Sequence, residues 1–367
     1  MEQVKINGFQ LFSVIFLFEL GSAILVGLAR EAKQDAWITV IIGIAFGILL
    51  YTIYTKLHTM YPLLPLTGYL RKILGGYLGW FVGLLYVIYF IYIGSRVLRD
   101  FEELLVISVY RQSSNLAIGI VMVLCVMYAA YKGLEVFFRI SELCLFIIVF
   151  MVLFLISFEI ASGIIKFYHL RPILEHGWRP IFKTLFPTTM TFPFGEMLAF
   201  TMLLPHLNKQ ETAKKIGITA IVFSGLVLTL FTIINIAIVG SNIMERSAFP
   251  ILTAVSYINI ADFIQRLDIL VIISMVILGF VKITVFFFCA IIGTANLFDL
   301  KQPQKLIYPM GIILLISSLI IAHGYIEHIK EGLKVVPYYL HLPMQIGIPI
   351  LILVIALIKE KVKGAHA

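Results

Sequence analysis

About ten stretches of this chain run for roughly twenty residues with almost no charge, the length an α-helix needs to cross the hydrocarbon core of a bilayer. They fall near residues 9–29, 38–58, 77–107, 115–131, 141–162, 184–205, 216–239, 266–296, 305–323 and 344–359. Hydrocarbon offers no partner to a backbone N–H or C=O, so segments of this length must satisfy their own and form helices. The fold class is therefore an all-α polytopic membrane protein with about ten transmembrane helices. Composition agrees: 13% of the residues are Asp, Glu, Lys or Arg, against about 25% for a soluble domain. The 29 Phe and 17 Tyr, within a chain that is 61% hydrophobic, exceed what one soluble core could bury. A soluble enzyme, a secreted disulfide scaffold and a disordered chain are excluded. The runs 77–107 and 266–296 exceed the bilayer and are expected to tilt or project into water.

The net charge of +8 would suggest nucleic acid in a soluble protein. Here the cations sit between the runs, where they report topology rather than a nucleic-acid partner. One side collects Lys5, Lys56, Arg71, Lys72, Lys132, Arg139, Lys209, Lys214, Lys215, Lys301, Lys305, Lys359, Lys361 and Lys363. With an even number of spans this predicts both termini inside, and the first run is expected to stay as a helix rather than be cleaved. The opposite side carries Arg171, Arg179 and Lys183 in a longer segment, 163–183. Its His169, Arg171, Pro172, His176, Gly177 and Trp178 read as an interfacial loop with an aromatic anchor. Residues 248–262 suit a short helix lying on the bundle. Cys125, Cys144 and Cys289 lie in apolar runs and read as small core residues. The eight histidines show no metal-ligand spacing, with His58, His323 and His328 expected in loops. No catalytic constellation, metal or cofactor site is read.

Two runs are interrupted. The first carries Glu19-Leu20-Gly21-Ser22-Ala23 near its middle, and the sixth Thr191-Phe192-Pro193-Phe194-Gly195-Glu196. Pro193 removes a backbone donor, Gly195 frees the dihedrals, and Glu196 places an ionisable group where one is costly. Taken singly, Gly21-Ser22 is a helix-packing contact and Pro193 a kink. Taken together they occupy corresponding positions if the chain is two repeats of five, approximately 9–162 and 184–359. Interrupted helices in matching halves point to a transporter-type site at the bilayer midplane.

The residues around these breaks resemble those of the B subunits of spore germinant receptors, the spore permease family. The resemblance is carried by Phe18-Glu19-Leu20-Gly21-Ser22, Ala32-Lys33-Gln34-Asp35-Ala36-Trp37, Arg171-Pro172-Ile173-Leu174-Glu175-His176-Gly177-Trp178 and Thr191 to Glu196. Pro205, Arg266-Leu267-Asp268 and Phe280-Val281-Lys282 extend it. It implies the amino acid–polyamine–organocation superfamily, with a single domain of leucine-transporter-like five-plus-five inverted repeats and helices one and six discontinuous. It also implies a nutrient-sensing role beside A and C subunits in the inner membrane of a spore.

In that fold the free N–H groups at Gly21, Ser22 and Ala23, after Glu19 and Leu20, face a cavity with the positive end of a half-helix and suit a carboxylate. Thr191, Phe192, Phe194, Gly195 and Glu196 offer carbonyls and an aromatic surface, and helix three closes the site around Tyr89 and Ile93. The expected ligand is a small germinant, an amino acid. Lys282 lies about 24 Å along its helix from Arg266, at 1.5 Å per residue, too deep to reach either face. It is expected to pair with Glu19 or Glu196, as a static bridge or as a proton relay. Arg96, Arg99, Asp100, Glu102 and Glu103 are expected as a solvated outer network, with Arg96 and Asp100 paired along the helix. A receptor subunit on a transporter scaffold leads. A secondary amino acid transporter coupled to protons or Na⁺ is the alternative, and a channel has less support because no ring of like charge marks a pore.

Overall fold

Asn7 and Gln10 start the first helix. The Asn7 side chain accepts the Gln10 N–H at 2.8 Å and Gln10 Oε1 accepts the Asn7 N–H at 2.9 Å, so two otherwise orphaned donors are satisfied reciprocally. In a computed structural model, which describes residues 5–259 and 267–365, the helix so begun, α1 (Gly8–Val26), is buried along almost its whole length. There follow α2 (Ala36–Met60), α3 (Leu66–Leu74), α4 (Gly76–Ser108), α5 (Asn115–Lys132) and α6 (Leu134–Ala161). The second half has α7 (Arg179–Thr184), α8 (Ala213–Val239), α9 (Ser241–Arg246), α10 (Pro250–Val255) and α11 (Asp268–Leu297). It ends with α12 (Ile307–Ile320), α13 (Tyr325–Lys334) and α14 (Ile348–Ala365), the last preceded by a π-helical stretch, Pro337–Gly347. Among the described residues the β pairing is one isolated parallel bridge, Ile6 with Leu207.

Nine of the helical stretches among the described residues are long and apolar enough to cross a membrane. The chain is an integral membrane protein. The run expected at 184–205 is not among the nine. It divides into α7, a π turn at Leu185–Thr189 and a 3-10 segment at Phe194–Met202. α1 packs on α8, α11 and α6, while α4 lies along α11. Because lipid tails are as apolar as the helices, close packing rather than water exclusion holds these faces together. Phe18 shows it: its ring sits 5.2 Å from Phe200, edge-on, and 5.1 Å from Phe286.

Several boundaries differ from those expected. α6 begins at Leu134, so Arg139 is a helical residue paired with Glu135 at 2.6 Å and not a loop cation. The last span begins at Pro337 rather than 344. α3 and α13 fall where loops are expected; each is short and carries a charged face, which hides it from a search for apolar runs. His58 and His328 are buried on α2 and α13, and His323 alone of the three is exposed. The loop at 163–183 is tied to the α1–α2 connection: the Asp35 carboxylate accepts the Leu174 N–H at 3.0 Å, and Gln34 donates to Glu175 at 2.7 Å. Of residues 248–262, the part through Asn259 includes α10; Asp262, like Arg266, lies outside the described residues.

Candidate functional site

The middle of α1 departs from helical geometry at one residue, Gly21, with φ 6° and ψ −124°. The side chain of Lys282, from α11, crosses α1 at that point. A Cβ on Gly21 would lie 2.5 Å from Lys282 Cδ and 3.4 Å from its Cβ and Cγ, so the absent side chain is what lets the lysine through. Lys282 Nζ ends 2.5 Å from Glu196 Oε2, with both side chains buried. Its ammonium also sits 4.8 Å from the Phe18 ring centroid and 5.0 Å from that of Phe192, where each ring face is attractive to a cation. Of the two carboxylates expected as partners, Glu196 is the one in contact. Neither oxygen of Glu19 has a hydrogen-bond partner among the described residues, and the Ser22 hydroxyl has none either. Three elements therefore bring buried polar groups to one place: α1 with the unpartnered Glu19 and Ser22, and the sixth run and α11 with the Glu196–Lys282 pair.

Beside this knot lies a cavity of about 50 Å³, room for a few waters. Ser22, Ile93, Phe192 and Glu196 line it. Leu20 and Ala23 are buried in the core, and Thr191 bonds back to its own helix, donating to Pro187 O at 2.8 Å. Phe194 faces α2, close against Gly43 and Gly47. Gly195 faces Gln345, whose Oε1 occupies the place a Cβ would take. Tyr89 lies one residue behind the cavity wall. Its hydroxyl is 2.7 Å from His341 Nδ1 and accepts from Gln345 Nε2 at 2.8 Å.

His341 and Gln345 come from the π-helical stretch and were not singled out in the sequence. Gln345 Nε2 is also 3.1 Å from His341 Nδ1. His341 lines the cavity and brings to it a polar imidazole edge. The signal was present: two polar side chains four residues apart in an otherwise apolar span are costly there and mark a site.

The outer wall is α13. His328 Nε2 is 2.8 Å from Asp100 Oδ1, and Arg96 lies 3.6 Å from Glu331 and donates to the His328 carbonyl. Arg99 pairs instead with Glu103 at 2.8 Å and Glu102 at 3.8 Å. This corrects the expectation of a solvated network. Arg96, Arg99, Asp100, Glu102 and Glu103 are all buried, and Arg96 pairs across to α13, not down its own helix to Asp100. α13 covers Arg96 and Asp100, while Ser318 of α12 donates to Glu102 at 2.8 Å and Asn115 of α5 donates to Glu103 at 2.9 Å. Further pins run from Thr188 Oγ1 to Leu333 O at 3.1 Å and from Lys334 to Glu31 at 3.7 Å.

These pins make a prediction about access. In a chain whose native cysteines are replaced, Ser22→Cys should react slowly with a polar thiol reagent. Adding Asp100→Ala, which removes the His328 partner, should raise the rate about ten-fold, the worth of one charge-assisted hydrogen bond. An unchanged rate would mean that α13 is not the barrier.

The sequence matches the spore permease family model, described as spore germination protein, over residues 5–326. It is 37% identical over 371 residues to spore germination protein KB of Bacillus subtilis (strain 168), covering 100% of both chains. It is 25% identical over 324 residues to spore germination protein A2 of the same strain, covering 86% of this chain and 87% of that one. Spore germination protein XB of Bacillus anthracis is 23% identical over 270 residues, covering 71% and 72%.

Proposed function

The chain belongs to the spore germination protein family of spore permeases, and from that membership we propose that it is the B subunit of a nutrient germinant receptor. The observation that carries this is the full-length identity of 37% to spore germination protein KB. The subunit binds a small germinant, an amino acid, between the interrupted middle of α1 and the sixth run. It passes occupancy to A and C subunits in the spore inner membrane, with both termini inside. The fold is two inverted repeats of five spans, 9–162 and 184–359, within a single domain.

Unfulfilled polar groups support the site. A zwitterion offers an ammonium to Glu19 and a carboxylate to the backbone N–H groups at Gly21, Ser22 and Ala23. The His341 imidazole adds a polar edge to the same cavity. Ile93, Phe192 and Val97 give the side chain an apolar wall. Nothing in the arrangement resembles a nucleophile with its base, and the family is not one of enzymes.

A transporter remains the second reading, favoured by one observation: the Lys282–Glu196 pair at 2.5 Å, a buried pair of ionisable groups able to exchange a proton with a cycle of access. Reconstitution separates the two. The purified chain in proteoliposomes should bind an amino acid but accumulate none when a proton or Na⁺ gradient is imposed. Spores that lack their own receptors should gain a nutrient response when the chain is supplied with A and C subunits. Saturable, gradient-driven uptake would overturn the receptor reading in favour of the transporter.

A further inference from the structure

At the end of the bundle where α2 and α14 both finish, a cleft of about 540 Å³ opens. It lies apart from the site described above, and α14 forms one wall against α2 and α3. Met60 and Ala356 give it an apolar floor, while Lys72, Lys359 and Tyr61 stand at its rim with Glu360. Among the described residues the two lysines have no carboxylate partner. Lys72 holds its ammonium 5.4 Å from the Tyr61 ring centroid, and Lys359 Nζ donates to Ile73 O at 2.6 Å, at the last turn of α3. Their neighbour Arg71 is already engaged, 3.5 Å from Asp299 and 3.2 Å from Asn296 O. Lys56, one turn back on α2, is exposed.

Two spans end here, so the cleft opens at the depth of lipid headgroups while its floor is continuous with the apolar sides of α2 and α14. We propose that it seats an anionic phospholipid. The phosphate diester lies between Lys72 and Lys359, which as compact point charges suit it. The glycerol backbone lies over Tyr61, and the first methylenes of the acyl chains rest on Met60 and Ala356. Charge selects the occupant: two ammonium groups face one carboxylate, so a zwitterionic lipid leaves a positive charge uncompensated. Basic pockets between membrane helices hold anionic headgroups in this way. Because α3 meets α14 through the Lys359–Ile73 contact, the lipid fastens together two elements that close this end of the bundle.

Native mass spectrometry of the full chain, released from micelles holding phosphatidylglycerol and phosphatidylcholine with the same acyl chains, tests the proposal. Wild type should retain phosphatidylglycerol in preference. Lys72→Gln with Lys359→Gln should weaken that retention more than ten-fold, at about five-fold per lysine. Lys72→Arg with Lys359→Arg should keep it. Lys301→Gln with Lys305→Gln, which removes two exposed cations outside the cleft, should also keep it. Equal retention of the two lipids by wild type would overturn the proposal. So would an equal loss in the Lys301/Lys305 variant, which would mean diffuse surface charge. Glycerol phosphate competing as well as the intact lipid would reassign the cleft to a soluble anion, and a glutamate-rich peptide displacing the lipid stoichiometrically would reassign it to an acidic protein segment.

Discussion

Lys282→Met will cost the chain both its stability and its response to germinant, and adding Glu196→Gln will return part of the first but not the second. The single substitution leaves a carboxylate buried in the centre of the bundle without the ammonium that stood 2.5 Å away. Removing one member of a buried pair costs about 3–5 kcal/mol, because the survivor keeps its desolvation penalty and loses its compensation. The double variant removes both charges and leaves one neutral amide, at about 1–3 kcal/mol if it finds no partner. Thermal unfolding in detergent reads the stability, and the nutrient response of spores carrying each variant reads the function. If Lys282→Met unfolds at the wild-type temperature, the pair holds nothing together. If the double variant responds like wild type, the pair takes no part in sensing.

The second large effect is expected at Gly21. Alanine there would place its methyl 2.5 Å from Lys282 Cδ, and the lysine cannot swing aside while its ammonium is held by Glu196. The conflict must move either α1 or the ion pair. Overpacking of this kind costs about 1–3 kcal/mol, and the germinant concentration for half response should rise at least about ten-fold as the site is displaced. Ser22→Ala, one residue on, removes a hydroxyl that has no partner among the described residues and should leave stability within about 0.5 kcal/mol of wild type. A cycle with Lys282→Ala makes the claim specific: in that background Gly21→Ala should add almost nothing, because the atoms it strikes are gone. Additive losses would place the cause in the backbone of α1 instead.

Much of this protein is legible from hydrophobic runs, because hydrocarbon leaves so few solutions. α4, expected at 77–107, spans Gly76–Ser108, and α5 matches within a residue. Apolar length is a poor guide where an element is short and half polar. α13, with Tyr325-Ile326-Glu327-His328-Ile329-Lys330-Glu331, has the charge of a loop and the contacts of a lid. Without that lid the buried Arg96–Glu331 and His328–Asp100 pairs read as a solvated network. Lys282, by contrast, announces itself as a lone cation far from both ends of its helix. Which carboxylate it meets does not follow, since Glu19 and Glu196 are equally deep in their runs and only the crossing at Gly21 distinguishes them. His341 and Gln345 are hidden by a boundary: a span that begins at 344 leaves one of them in a loop.

The roof formed by α13 also bears on sensitivity. With a cavity of about 50 Å³, the conformation described here is too tight for an amino acid, so the proposed binding requires an open form. The observed dissociation constant is then the intrinsic one divided by the open fraction: if about 1% of molecules are open, it is about a hundred-fold weaker. On the proposed function, the strength of the pins on α13 then sets the threshold nutrient level, independently of any residue that touches the nutrient. Two chains with identical binding pockets could respond at very different concentrations, and selection could retune the alarm through Asp100, His328 or Glu331 alone.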